Sequence, residues 1–176
     1  MRRIGLILLL LLLPAPKVAA QAGNIDIRDL LGPVVSNDNL IVPGERIGSW
    51  QLQWKISDLV RWNGPASTLP APDTYISGLT LHAWWNLTLI AFTRDGQKIE
   101  ALFIRDPAYK TGKRIGVGTS AEALPAAYGK PTFSIPDGRG GQRVIFDDIG
   151  IAFGVRQEIY EIFVMPKGSA RSIWKF

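Results

Sequence analysis

The pentapeptide Gly44-Glu45-Arg46-Ile47-Gly48 returns, changed at one position, as Gly112-Lys113-Arg114-Ile115-Gly116, 68 residues further on. Self-similarity at a fixed offset is the sequence signature of an internal repeat. A short helix-like segment follows each copy, over 57–63 in the first and 120–128 in the second. Both segments stop at a glycine with proline close behind, Gly64-Pro65 and Gly129-Lys130-Pro131. Glycine accepts the left-handed conformation just past a helix end, and proline cannot continue the helix. Identical triplets come next, Ile90-Ala91-Phe92 and Ile151-Ala152-Phe153. Each leads through a turn-like stretch, Arg94-Asp95-Gly96 or Arg156-Gln157-Glu158, into a β-branched and aromatic run at 99–104 or 159–164. This order predicts an α+β fold of two tandem helix-plus-antiparallel-sheet repeats, about 44–110 and 111–176. The two sheets are expected to join into one antiparallel sheet, with both helices on one face and the other face open to solvent or a partner.

The two copies differ in detail. In the first, Trp50, Leu52, Trp54 and Ile56 alternate with Gln51, Gln53 and Lys55. Period-two alternation predicts a strand with one buried face, so Trp50 and Trp54 are expected in the core. In the second, Thr119 and Glu122 have the spacing of a capping box. Pro125 then makes that helix short or kinked. The remaining stretches read as connections: a polar arm at 23–43, an irregular loop at 66–74 with Pro70 and Pro72, and a flexible turn at 136–142.

The first 22 residues have the three parts of a secretory signal peptide. Arg2 and Arg3 precede an unbroken apolar run at 4–13, and Pro14, Pro16 and small residues up to Ala22 follow. The apolar run is far short of the roughly 20 residues that a membrane span needs. Residues 23–176 are thus expected to work outside the cytoplasm, in the periplasm or beyond the cell, with no stable membrane anchor. Arg2, Arg3 and Lys17 leave with the leader and lower the formal net charge of +5 by three. What remains is too small and too scattered for a nucleic-acid surface, which wants a clustered basic face. The chain has no cysteine, which excludes disulfides, thiolate metal sites and a lipid-bearing cysteine. A chain of this size can bury roughly 70% of its unfolded surface and needs no such staple.

The run of Ile-Gly, short segment, helix, Gly-(x)-Pro and antiparallel strands, quoted above at 44–65 and 112–131, resembles the small αβ module of exported bacterial proteins. That module is used singly by the small lipoprotein of the outer-membrane assembly machinery and in tandem by the secreted β-lactamase inhibitor protein. The tandem resemblance implies a concave sheet that grips a partner protein. It assigns no functional residue here, and this chain departs from both by having no cysteine.

The residues announce no catalytic constellation, cofactor site or metal site. His82 is the sole histidine and reads as a structural residue of a strand-like run. Asp147 and Asp148, with Gly150 close behind, read as a hairpin turn, since adjacent strand residues would point to opposite faces. The glycine-rich run at 112–120 lacks the lysine-hydroxyl order of a phosphate loop. Tryptophans remain. Trp84 and Trp85 are consecutive, so one of them must face outward from a strand; Trp62 near a helix end and Trp174 near the C-terminus are also expected to be partly exposed. Exposed tryptophan offers a large flat area to a protein or a sugar, whereas the alternative places all six tryptophans in the core. The expected function is an exported, non-enzymatic binding protein whose extracytoplasmic partner sits on the open sheet face. A glycan- or cell-wall-binding protein with a tryptophan platform is the alternative, and an enzyme is least favoured.

Overall fold

A computed structural model describes residues 38–71, 76, 78–84, 88–174 and 176. The expected leader and most of the expected arm fall outside these residues. In chain order the elements are β1 (Leu40–Val42), β2 (Arg46–Ile47), β3 (Trp50–Gln51), α1 (Ile56–Asn63), β4 (Ser67–Pro70), β5 (Thr80–Ala83), β6 (Leu89–Thr93) and β7 (Ile99–Ile104). They continue with β8 (Lys110–Thr111), α2 (Ala123–Tyr128), β9 (Phe133–Pro136), β10 (Gln142–Phe146), β11 (Ile151–Val155), β12 (Ile159–Val164) and α3 (Ala170–Ile173).

The α+β expectation is overturned: the described residues are mostly β. A sheet of eight strands runs in the order β4-β5-β6-β7-β12-β11-β10-β9, and a second sheet of four runs β3-β2-β1-β8. The helices have eight, six and four residues, too few to form a layer of their own. Two features escaped the sequence reading. Residues assigned to the arm supply β1, which pairs antiparallel with β2 and parallel with β8. The stretch assigned to an irregular loop supplies β4, paired with β5 from Ser67 to Pro70.

Period-two alternation gives the large sheet two distinct faces. On the first, Ala91, Leu102, Ile104, Phe146, Phe153, Ile162 and Val164 pack under α1, α2 and the small sheet. The strands of the small sheet are only two or three residues long, so they are held by their side chains. Ile41 and Ile47 are essentially inaccessible, and burying a side chain of this size contributes about 1.5–3 kcal/mol. The chain then crosses the end of the large sheet at Gly44, where its N–H donates to the carbonyl of Gly150 at 3.1 Å. Both glycines have positive φ, and a Cβ on Gly150 would lie 2.7 Å from the Cα of Gly44. No larger residue fits the crossing.

The expected strand through 50–56 ends after Gln51. Gln53 takes φ +67°, which reverses the chain, and its N–H donates to the carbonyl of Ile99 at 2.8 Å. Trp50 is buried and packs edge-on against Trp84, while Trp54 is half-buried. The capping box of α2 does not form. The Thr119 hydroxyl accepts the Gly116 N–H, and the helix begins at Ala123 without a side-chain cap. Pro125 thereby falls in the first turn, where its missing N–H costs nothing.

His82 stands on the covered face opposite Ala91, with Nε2 2.8 Å from the Thr93 hydroxyl. Burial lowers its pKa. A histidine that is harder to protonate when folded leaves the unfolded state binding more protons below its ordinary pKa of about 6.5. The contribution of His82 to folding stability is therefore fully present above that pH and is lost as the pH falls from there through the lowered folded-state value. Thermal melting between pH 8 and pH 5 should show this decline, and His82→Gln should flatten it.

Candidate functional site

The second face of the large sheet is where the chain departs from ordinary core packing. One row of residues crosses six strands by direct pairing: Ile90, Phe103, Phe163, Ala152, Ile145 and Phe133. This row is apolar throughout. The neighbouring row, two residues along each strand, is not: it runs Glu161, Gly154, Arg143, Ile135. Arg105 follows β7 next to the Phe103–Phe163 pair and brings a second guanidinium to Glu161.

Glu161 is 1% exposed and Arg143 5%. One carboxylate oxygen accepts from Arg143 Nη2 at 2.8 Å, and the other from Arg105 Nη2 at 2.9 Å. Arg139 Nη1 stands 3.7 Å from the second oxygen. The Arg143–Glu161 contact spans β11, which intervenes between their strands, and it exists because residue 154 is glycine. A Cβ there would come within 2.9 Å of Glu161 Cδ and Oε1. The Arg143 guanidinium also lies over the rings of Phe163, at 4.7 Å, and Trp174, at 5.4 Å.

Two other devices shape this end of the face. The β11–β12 register skips Tyr160 between the Gly154–Glu161 and Val155–Ile159 pairs. Such a bulge re-aims a side chain, and here the Tyr160 hydroxyl donates to Asp137 Oδ2. Asp137 also accepts the N–H groups of Arg139 and Gly141 at 2.7 and 2.8 Å. The turn expected to be flexible is thus pinned around a buried carboxylate. Burial pushes the Asp137 pKa up. The Tyr160 hydroxyl, the two backbone N–H groups and the nearby Arg143 charge outweigh it and hold the carboxyl below its ordinary range. Burial, and then the bond to Asp137, raises Tyr160 well above a free phenol.

The expected openness of this face is partly overturned. Ile76, Leu79, Ala170, Ile173 and Trp174 cover much of it. The C-terminal helix is held there by Asp147, whose carboxylate accepts the Ala170 N–H at 2.9 Å and whose carbonyl accepts the Gly168 N–H. Asp147 and Asp148 do lie in the turn between β10 and β11, and this is what Asp147 does in it. Between the covering residues and the ion cluster is a cavity of about 400 Å³. Its apolar wall is Ile76, Leu81, Ile90, Phe92, Phe103 and Phe163, and its polar end is Arg105, Asp137, Arg139, Arg143 and Glu161.

Of the four tryptophans singled out, the three among the described residues do not line this cavity. Trp84 is buried on the opposite face and donates to the carbonyl of Gly64. Trp174 is fully buried beneath Arg143. Trp62, on α1, is 43% exposed and packs edge-on against Trp54. Trp85 lies outside the described residues. A stacking platform therefore loses Trp84 and Trp174. The residues that do line it do not stand out in the sequence, although Glu161 leaves a signal. It is the one charge in β12, at a position that alternation puts on the same face as Phe163.

The chain matches no known protein-family profile. No curated protein sequence matches it. Among solved structures, a cysteine-rich secretory protein from Staphylococcus aureus subsp. aureus Mu50 is similar at 14% identity and a TM-score of 0.45. The match covers 71% of this chain and 48% of that one, so this chain spans about half that protein's length. Among the described residues, no helix is long and apolar enough to cross a membrane, and no group of His, Cys, Asp or Glu side chains is placed to hold a metal ion.

Breaking a buried ion pair by removing one partner costs about 3–5 kcal/mol, whereas replacing both by apolar residues is often neutral or better. Glu161→Leu alone, which takes the carboxylate away from the buried Arg143, should lower the urea-unfolding free energy by that amount, and Glu161→Leu with Arg143→Met should recover it. Gly154→Ala, which overpacks the gap between the two charges, should cost about 1–3 kcal/mol in the same measurement.

Proposed function

We propose that this chain is an exported binding module that holds a small ligand in the cavity on the second face of its large sheet. The observation that supports this reading most directly is the Glu161 cluster. Buried charge is a poor source of stability compared with apolar packing, yet three guanidiniums and two carboxylates gather at one end of the cavity on that face. A largely apolar pocket with a few convergent polar groups is the usual form of a ligand site, and such sites span roughly 300–1,000 Å³. Export, to the periplasm or beyond the cell, rests on the leader at 1–22.

Binding is favoured over catalysis by how the polar groups are used. The Tyr160 hydroxyl and the Asp137 carboxylate are bound to each other. Glu161 is saturated by arginines. Neither carboxylate is left as a base for a nucleophile, which acyl or phosphoryl transfer would need.

The test is a thermal-shift panel of sugars, amino acids, carboxylic acids and amphiphiles on the exported chain and on Ile90→Trp, which fills the cavity. At least one class should raise the wild-type melting temperature and leave Ile90→Trp unmoved. Shifts of equal size in both proteins, or no shift from any class, would overturn the reading.

A further inference from the structure

We infer, building on the cavity-binding reading above, that the ligand is a single-chain amphiphile with an anionic head. Its chain lies along Ile90, Phe103 and Phe163, and its carboxylate or phosphate head sits between Arg105 and Arg139. The polar end of the cavity decides the sign of the head. Both Glu161 oxygens already accept from arginine. Both Asp137 oxygens accept as well, one from two backbone N–H groups and the other from Tyr160. A cationic or donor-rich ligand would find these acceptors engaged.

Donors, by contrast, are in surplus. Arg105 and Arg139 are 51% and 57% exposed at the side chain. Of the five N–H donors of a guanidinium, Arg105 uses one on Glu161. Arg139 reaches that carboxylate only at 3.7 Å, beyond hydrogen-bond length. Among the described residues that line the cavity, three guanidiniums stand against two carboxylates, so the described charge at its mouth is positive. Guanidinium forks match carboxylate and phosphate geometry, and such charge-assisted bonds are the strong ones. The wall decides the rest of the ligand. Among the described residues it offers aliphatic and phenylalanine side chains and no hydroxyl or amide partner for a sugar. A volume of about 400 Å³ lies near the lower end of the small-ligand range and suits one chain of moderate length.

The experiment is titration calorimetry of the exported chain, below micelle-forming concentrations, with decanoate, decyl phosphate, decanol, decyltrimethylammonium and hexanoate. Variants are Ile90→Trp and the pair Arg105→Gln with Arg139→Gln. Arg105→Gln takes one charged donor from the buried Glu161, so folding of the double variant is checked by its melting transition and head preference is read as decanoate against decanol within that variant. Hydrogen bonds to charged groups are stronger than neutral ones, so decanoate or decyl phosphate should bind at least about tenfold more tightly than decanol. Which of the two anions binds tighter identifies the head. Hexanoate should bind far more weakly than decanoate, and the double glutamine variant should bind decanoate no better than decanol. Equal binding of decanol, tighter binding of the cationic probe, or an anion preference that survives in the double variant would overturn the inference. If those probes still lose binding in Ile90→Trp, the cavity-binding reading stands without it. If the amphiphiles fail while another ligand class stabilises the wild type but not Ile90→Trp, the inference again falls alone. If no ligand of any class binds, both fall.

Discussion

The pairing of β7 with β12 is the constraint on which the rest of this molecule depends. Leu102, Phe103 and Ile104 lie opposite Val164, Phe163 and Ile162, and the eight-stranded sheet would divide in two without this seam. Both cores run across it. Leu102, Ile104, Ile162 and Val164 belong to the cluster under α1 and α2, and Phe103 and Phe163 belong to the one under the C-terminal helix. The same register brings Arg105 to Glu161, just beyond the last paired residues. A slip of one residue would turn every side chain to the other face. The apolar patterning of both faces therefore protects the geometry of the charge cluster.

That cluster is assembled by local exceptions to strand regularity. Gly154 removes a side chain so that Arg143 can reach Glu161 across a whole strand. The skipped residue in β12 brings Tyr160 to Asp137. Asp147 secures the helix that places Trp174 against Arg143. Each exception disturbs the regular sheet slightly, and all of them converge on one end of one face. Departures from uniform packing that gather at a single place are where function is expected.

Much of the local structure was legible in the residues. The last strand of each half was marked by its β-branched and aromatic run, the stop after α1 by Gly64-Pro65, and the hairpin turn by Asp147 and Asp148. Balance between helix and sheet was not legible, because short turns near glycine and proline carry the same signals as longer helices. The small sheet escaped because its strands have no period of their own. They are held by single residues such as Ile41 and Ile47, which find their burial only in three dimensions. Alternation at 50–56 misled because Gln53 adopts a left-handed conformation that side chains usually avoid. For the site, the tryptophans drew notice by size, while Glu161 and Arg143 looked like ordinary strand charges. Their partnership depends on Gly154, which only strand pairing puts between them.

The order of the large sheet also determines what can happen at its margins. Among the described residues its outermost strands are β4 and β9, and each ends in a proline, Pro70 and Pro136. An outer strand offers its unpaired backbone groups to any passing chain, and proline has no N–H to offer. Both margins are therefore blunted against further strand addition at corresponding places. A β-rich chain with a wide sheet would otherwise be prone to stacking end on end into fibrous aggregates, and these two residues give it a chemical reason to stay discrete.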